Sequence, residues 1–242
     1  MKQLGAIMNS KLWGRGASAI NPGLVVATFV VFIVLCFASP YFLTVYNLIN
    51  VAKALVIVGV AAAGETVVII AGGFDLSIGS TMAAAGMLAA SLLNIGSGVG
   101  PAFSAAILLG IFIGAANGTL IAYFRINPLI TTLATMAIIR GLAFVISDGR
   151  EIIITNKTWL SLGTGKWVGI PYIVLILIVI YLVFALILPR TTFGRYVYAI
   201  GSNPRAARLS GVSTKKWQLA IYITCGATAA LAGLMLAART GT

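Results

Sequence analysis

Side chains able to do covalent chemistry are few in this sequence. It has four acidic residues, Glu65, Asp75, Asp148 and Glu151, two cysteines and no histidine. General acid–base catalysis needs an acid and a base within reach of one substrate, and these acids offer no pair whose spacing assigns such roles. Cys36 and Cys225 lie inside apolar runs with no Cys or His neighbour at metal-ligand spacing, so zinc and disulfide readings fall away. Gly163-Thr-Gly165-Lys166 looks like the end of a P-loop. Leu160, however, replaces the required first glycine and Trp167 the required Ser or Thr. What remains is the chemistry of recognition: a basic stretch, a Gly-Gly-Phe-Asp turn and two charges inside apolar runs. No cofactor is expected on the chain itself.

The basic stretch, residues 189–216, holds six Lys or Arg and no acid, and lies between long uncharged runs. Overall the chain carries +12, with 60% hydrophobic and only 8% charged residues and a mean hydropathy of +1.08. Soluble proteins run near 25% charged. The composition therefore predicts an integral membrane protein, and the positive excess reads as cytoplasmic loops rather than as a nucleic-acid surface.

At about 20 apolar residues per crossing, about seven spans fit: 24–43, 48–71, 77–95, 102–124, 127–146, 172–188 and 218–238. Backbone groups in lipid must be bonded within their own segment, so the predicted fold is all-α, a polytopic transmembrane helical bundle. Residues 1–23 form an N-terminal segment with Lys2, Lys11 and Arg15, and 24–242 the membrane domain. The run from Leu24 continues to Leu43 without a clean cleavage site, which favours an uncleaved first span over a signal peptide. With the N-terminus inside, Arg125 and the whole 189–216 loop are cytoplasmic. Asp148, Arg150, Glu151, Lys157 and Lys166 then fall outside, in keeping with the positive-inside rule. That outer segment, 147–171, reads as a surface connector with Trp159 and Trp167 as headgroup anchors, or as a short re-entrant piece.

Within the spans, Gly110, Gly114 and Gly118 recur every four residues and predict a face on which another helix packs closely, with Gly59/Ala63 and Gly226/Ala230 extending the pattern. Tight packing and a moving interface both fit. In Gly72-Gly73-Phe-Asp75-Leu-Ser77-Ile-Gly79-Ser80, the glycines permit a sharp turn and Asp75 can cap the next helix. The same carboxylate and freed polar groups also suit a pathway between helices. Glu65 and Arg140 are the deep intramembrane charges, and such charges default to paired or functional positions. A structural Glu65–Arg140 contact is one expectation.

In the basic loop, Asn203 suits an N-cap and Pro204 the first helical position. Arg205, Ala206, Ala207, Arg208, Leu209 and Ser210 then give nearly two turns, and Gly211 a stop. Three segments together resemble a known family: Gly72–Ser80, Asn127-Pro-Leu-Ile-Thr-Thr-Leu133 with Arg140-Gly141, and Thr192–Gly211. From Leu48 onward the chain resembles the permease subunits of ribose-type ABC monosaccharide importers. The resemblance implies a bacterial inner-membrane subunit working with a second permease copy, a periplasmic sugar-binding protein and a separate cytoplasmic ATPase that uses the ATP. It also implies that Asn203–Gly211 is the helix that couples to the ATPase, with Arg205 and Arg208 as contacts. Members of the family continue for about three further spans, which suggests C-terminal truncation, and Phe74 stands where an aliphatic residue is usual. Import of another small solute, a nucleoside, autoinducer or branched-chain amino acid, is the nearest alternative. A non-functional remnant is a second, and a stand-alone secondary transporter fits less well because membrane acids are scarce.

Overall fold

The computed structural model describes residues 22–242, so Lys2, Lys11 and Arg15 lie outside the described residues. Two units are distinguished, one ending at Val51 and one starting at Ala52. In the first, α1 (Pro22–Ala38) starts on a proline and stops before Pro40, whose ring cannot continue a helix. The span expected to reach Leu43 is therefore shorter, and a turn at 39–44 follows. There Asn47 Nδ2 donates to the Phe42 carbonyl at 2.8 Å, and the Phe42 ring meets Phe32 edge-on at 5.4 Å between centroids. Next comes α2 (Val45–Ile70), most of which belongs to the second unit.

The second unit continues with α3 (Ile78–Asn94), α4 (Val99–Ala122), α5 (Pro128–Ile146) and the short α6 (Lys157–Thr164). A hairpin of β1 (Lys166–Trp167) and β2 (Ile170–Pro171) precedes α7 (Tyr172–Arg190), α8 (Thr192–Ser202), α9 (Pro204–Leu209) and α10 (Thr214–Thr240). The chain is thus the all-α bundle that composition predicts. Among the described residues five helices, α2, α4, α5, α7 and α10, are long and apolar enough to cross a membrane, while α1 and α3 are apolar but only 17 residues each.

The 27-residue α10 is the axis of this unit. Against it the glycine stripe of α4 packs backbone to backbone. A Cβ on Gly110 would overlap the Gly226 carbonyl oxygen, one on Gly114 the Tyr222 carbonyl oxygen, and one on Gly118 would stand 3.0 Å from Leu219 Cα. On its other sides α10 meets α3, where Gly233 lies against the Met82 carbonyl, and α2, where Gly64 lies against Thr228 and Cys225. Gly59, by contrast, faces Leu177 and Tyr181 of α7. Alanines fill much of what is left, with Ala85, Ala89, Ala102, Ala106 and Ala230 fully covered. Small residues let backbones approach where lipid supplies no hydrophobic drive, so dispersion contacts hold the helices together.

The 147–171 segment departs from both sequence readings at Trp159. Trp167 is exposed, but Trp159 is buried in the cluster formed by the α3, α4 and α10 ends. The clasp is continued by the Ile154 N–H, which donates to the Gly241 carbonyl at 2.7 Å, and by Gly163, set against the Ala238 carbonyl. The P-loop-like residues are thus the last turn of α6 and the start of β1. Asn156 is the α6 N-cap, accepting from the Trp159 N–H at 3.0 Å.

Candidate functional site

The chain turns at Gly72, whose φ of +80° ends α2, with the Gly73 N–H donating to the Val68 carbonyl at 2.9 Å. Gly73 is required for room rather than for φ: a Cβ there would meet Tyr222 Oη at 2.7 Å. The backbone then re-enters the bundle, with Asp75 and Ser77 buried, which goes beyond a sharp turn between two helices. The Asp75 N–H donates to Glu65 Oε1 at 3.2 Å. Glu65 is five residues before the end of α2, so the turn folds back beside the last turns of the helix it has just left. Irregular backbone survives at membrane depth only where it is buried in protein or lines a cavity. Here it does so on a chain of hydrogen bonds.

Thr135 Oγ1 of α5 donates to Asn117 Oδ1 of α4 at 2.6 Å, and Asn117 Nδ2 donates to Ser77 Oγ at 3.0 Å. The Ser77 hydroxyl and N–H both donate to Asp75 Oδ1, at 2.6 and 2.9 Å. Cys225 Sγ of α10 donates to Glu65 Oε2 at 3.7 Å, and the Tyr222 hydroxyl to the Phe74 carbonyl at 3.3 Å. Asp75, Ser77, Ser80 and Asn117 are buried, Asn117 completely. Each donor in the relay has an acceptor, so the polar cluster fixes one arrangement of five elements instead of leaving unpaired groups.

The turn has a second side. Phe74 is 50% and Leu76 43% exposed, and an added Cβ on Gly79 meets nothing within 4 Å. Asp75 acts through Ser77, which is itself the N-cap residue of α3. The expected Glu65–Arg140 contact is not formed, because both Glu65 oxygens have the partners above and Arg140 lies exposed on α5. From the sequence, Asn117 and Thr135 escaped notice. The available signal was an amide placed on the same face of α4 as Gly114 and Gly118.

At the far end of the basic loop, Asn203 Oδ1 accepts from the N–H groups of Arg205 and Ala206 at 3.1 and 3.0 Å, and Pro204 follows at the first helical position. Gly211 has φ +85°, and the Val212 N–H donates to the Ala207 carbonyl at 3.0 Å. Only Ala207 of this helix is buried; Arg205, Ala206, Arg208, Ser210 and Gly211 are exposed, and Leu209 is 82% exposed. The rest of the stretch is not loop. In α8, Gly194, Val197 and Ile200 are buried at three-residue spacing, and Gly201 lies against the Ile70 carbonyl. Phe193 and Tyr196 pack on Trp217 at 6.0 and 5.0 Å between ring centroids. This amphipathic helix was hidden in the sequence by Arg195 and by Arg190 just before it, which made the stretch read as loop.

A bundle of close-packed helices, a re-entrant polar turn and a protruding short helix frame the comparison with known proteins. Residues 47–242 match the family described as the permease component of the branched-chain amino acid transport system. The chain belongs to that family. It is 39% identical over 217 residues to the L-arabinose transport system permease protein AraH of Escherichia coli K12, covering 90% of this chain and 66% of the relative. Identity to the ribose import permease protein RbsC is 35% over 218 residues for Escherichia coli K12, covering 88% and 68%. For the RbsC of Bacillus subtilis it is 38% over 217 residues, covering 87% and 66%. The chain spans about two thirds of the length of these relatives. No solved structure matches. Family and fold together make this a multi-pass membrane protein.

Proposed function

We propose that the chain is a membrane-crossing subunit of an importer for a monosaccharide of the pentose class. It lies in the bacterial inner membrane with its N-terminus cytoplasmic, and the solute passes by alternating access along helices that include α2–α5 and α10. The observation that carries this reading is the re-entrant 71–77 turn. Interrupted helices that hold polar backbone at membrane depth are how transporters build solute pathways, and here Phe74, Leu76 and Gly79 form the open flank. The relatives named for arabinose and ribose support the sugar class.

Covalent chemistry is left to a separate ATPase, which binds and hydrolyses the ATP and docks on Asn203–Gly211; a periplasmic binding protein delivers sugar, and a second permease copy completes the path. Residues 189–216 serve as the coupling segment. Cells lacking their own pentose permeases, supplied with the chain in its natural length together with its ATPase and binding protein, accumulate labelled L-arabinose or D-ribose. Accumulation of branched-chain amino acids and neither sugar would overturn the reading. Changing Arg205 and Leu209 to Glu leaves the permease in the membrane and reduces co-purification of the ATPase by at least about tenfold, since charged and apolar contacts at such docking points each contribute about 1–2 kcal/mol. Unchanged co-purification would remove α9 from the interface.

A further inference from the structure

Where α4 ends and α5 begins, a cavity of about 310 Å³ opens between their connector, α9 and the first turns of α10. Its charged lining residues are Arg125, Arg208 and Lys215, and no carboxylate lines it. Asn127, Thr214 and Gln218 add donors that suit an anion. Three different elements bring these cations together. Arg125 is held in the left-handed region at φ +59°, Arg208 rides on the capped α9, and Lys215 Nζ stands 5.4 Å over the Tyr123 ring. Converging like charges repel unless an anion is shared between them.

The rim differs in character from the floor. Phe124 is 69%, Ile126 40% and Ile130 64% exposed beside the cationic lining. These residues flank the ends of two helices long and apolar enough to cross a membrane, α4 ending at Ala122 and α5 starting at Pro128. A soluble acidic peptide would gain nothing from that apolar rim, whereas a phospholipid has a phosphate for the cations and hydrocarbon for Phe124 and Ile130. Basic pockets between helix ends are the general form of anionic headgroup sites.

We propose that this cavity binds the phosphate of an anionic phospholipid, with the acyl chains lying along Phe124, Ile126 and Ile130. The site holds Arg208 toward the span ends, so that of the two arginines of α9 only Arg205 remains for a partner subunit. The lipid locks the α4–α5 connector to α9 and α10 by a shared anion.

The test uses the purified full chain without ATPase, so its outcome is independent of transport and of coupling. Native mass spectrometry reads retention of phosphatidylglycerol against phosphatidylcholine during titration in detergent. Phosphatidylglycerol is retained preferentially. Each single change, Arg125→Gln, Arg208→Gln or Lys215→Gln, weakens retention about fivefold, the effect of one basic residue near a headgroup. The charge-preserving set Arg125→Lys, Arg208→Lys and Lys215→Arg keeps the preference, and Lys166→Gln, remote from the cavity, changes nothing. Retention unaltered in all three single variants overturns the proposal. Complete displacement of the lipid by millimolar inorganic phosphate also overturns it and assigns the cavity to a soluble anion.

Discussion

Gly114→Ala destabilises the folded chain by about 3 kcal/mol or more, whereas the chemically identical change Gly79→Ala costs nothing measurable. Both glycines lie in helices, where alanine is favoured by about 1 kcal/mol on propensity alone. Context decides the sign. At Gly114 the new methyl would overlap the Tyr222 carbonyl oxygen and stand 2.9 Å from its carbon and 3.0 Å from Ile223 Cα. All of these are backbone atoms, so no rotamer change relieves the clash. Relief requires α4 and α10 to part, and Asn117, one turn along the same face, moves away from Ser77 as they do. Thermal unfolding of the detergent-purified protein measures the difference. Equal midpoints for the two variants would show that α4 and α10 do not meet in the way described.

Asp75→Ala is the second large effect, and it separates the geometry of the turn from its packing. The substitution removes the acceptor of both the Ser77 hydroxyl and the Ser77 N–H. Hydrogen bonds to a charged acceptor contribute about 1.5–3 kcal/mol each, and buried donors left without a partner add their own cost. The expected loss is about 3–5 kcal/mol at the turn. Asp75→Asn keeps an acceptor oxygen in place and loses about 1.5 kcal/mol or less. Cys225 is fully buried and bonded to Glu65, whose other oxygen receives the Asp75 N–H. Its reaction with a membrane-permeant maleimide, in a Cys36→Ser background, therefore reports opening of the turn. Labelling accelerates on the order of a hundredfold or more in Asp75→Ala and by about tenfold or less in Asp75→Asn. Equal acceleration in the two variants would mean that the charge, not the acceptor geometry, holds the turn.

Hydropathy alone made the spans legible, because a membrane helix must be apolar over most of about 20 residues. The glycine stripe was equally readable, since a four-residue period puts Gly110, Gly114 and Gly118 on one face whatever lies opposite. Asn203-Pro204 and Gly211 announced α9 through caps that depend only on neighbours. What the sequence concealed is non-local. Nothing within Gly72–Ser80 says that the chain climbs back beside Glu65 rather than lying at the surface, for the direction is set by Tyr222, Cys225 and Asn117 on distant helices. Trp159 has the composition of a headgroup anchor, and only the alanine-lined space at the ends of α3, α4 and α10 makes it core. Glu65 and Arg140 invited pairing by charge, yet the nearest donors to Glu65 are an amide and a thiol.

Gly201 gives the basic segment a mechanical property. Its backbone lies against the Ile70 carbonyl with Ala71 Cα next to it, and a single residue, Asn203, separates α8 from α9. Side chains absorb small displacements by changing rotamer, but peptide planes in contact have none to change. The α8–α9 corner and the end of α2 are thus joined by backbone contact with no side chain between them, at the point where the chain leaves α2 to fold back toward Asp75.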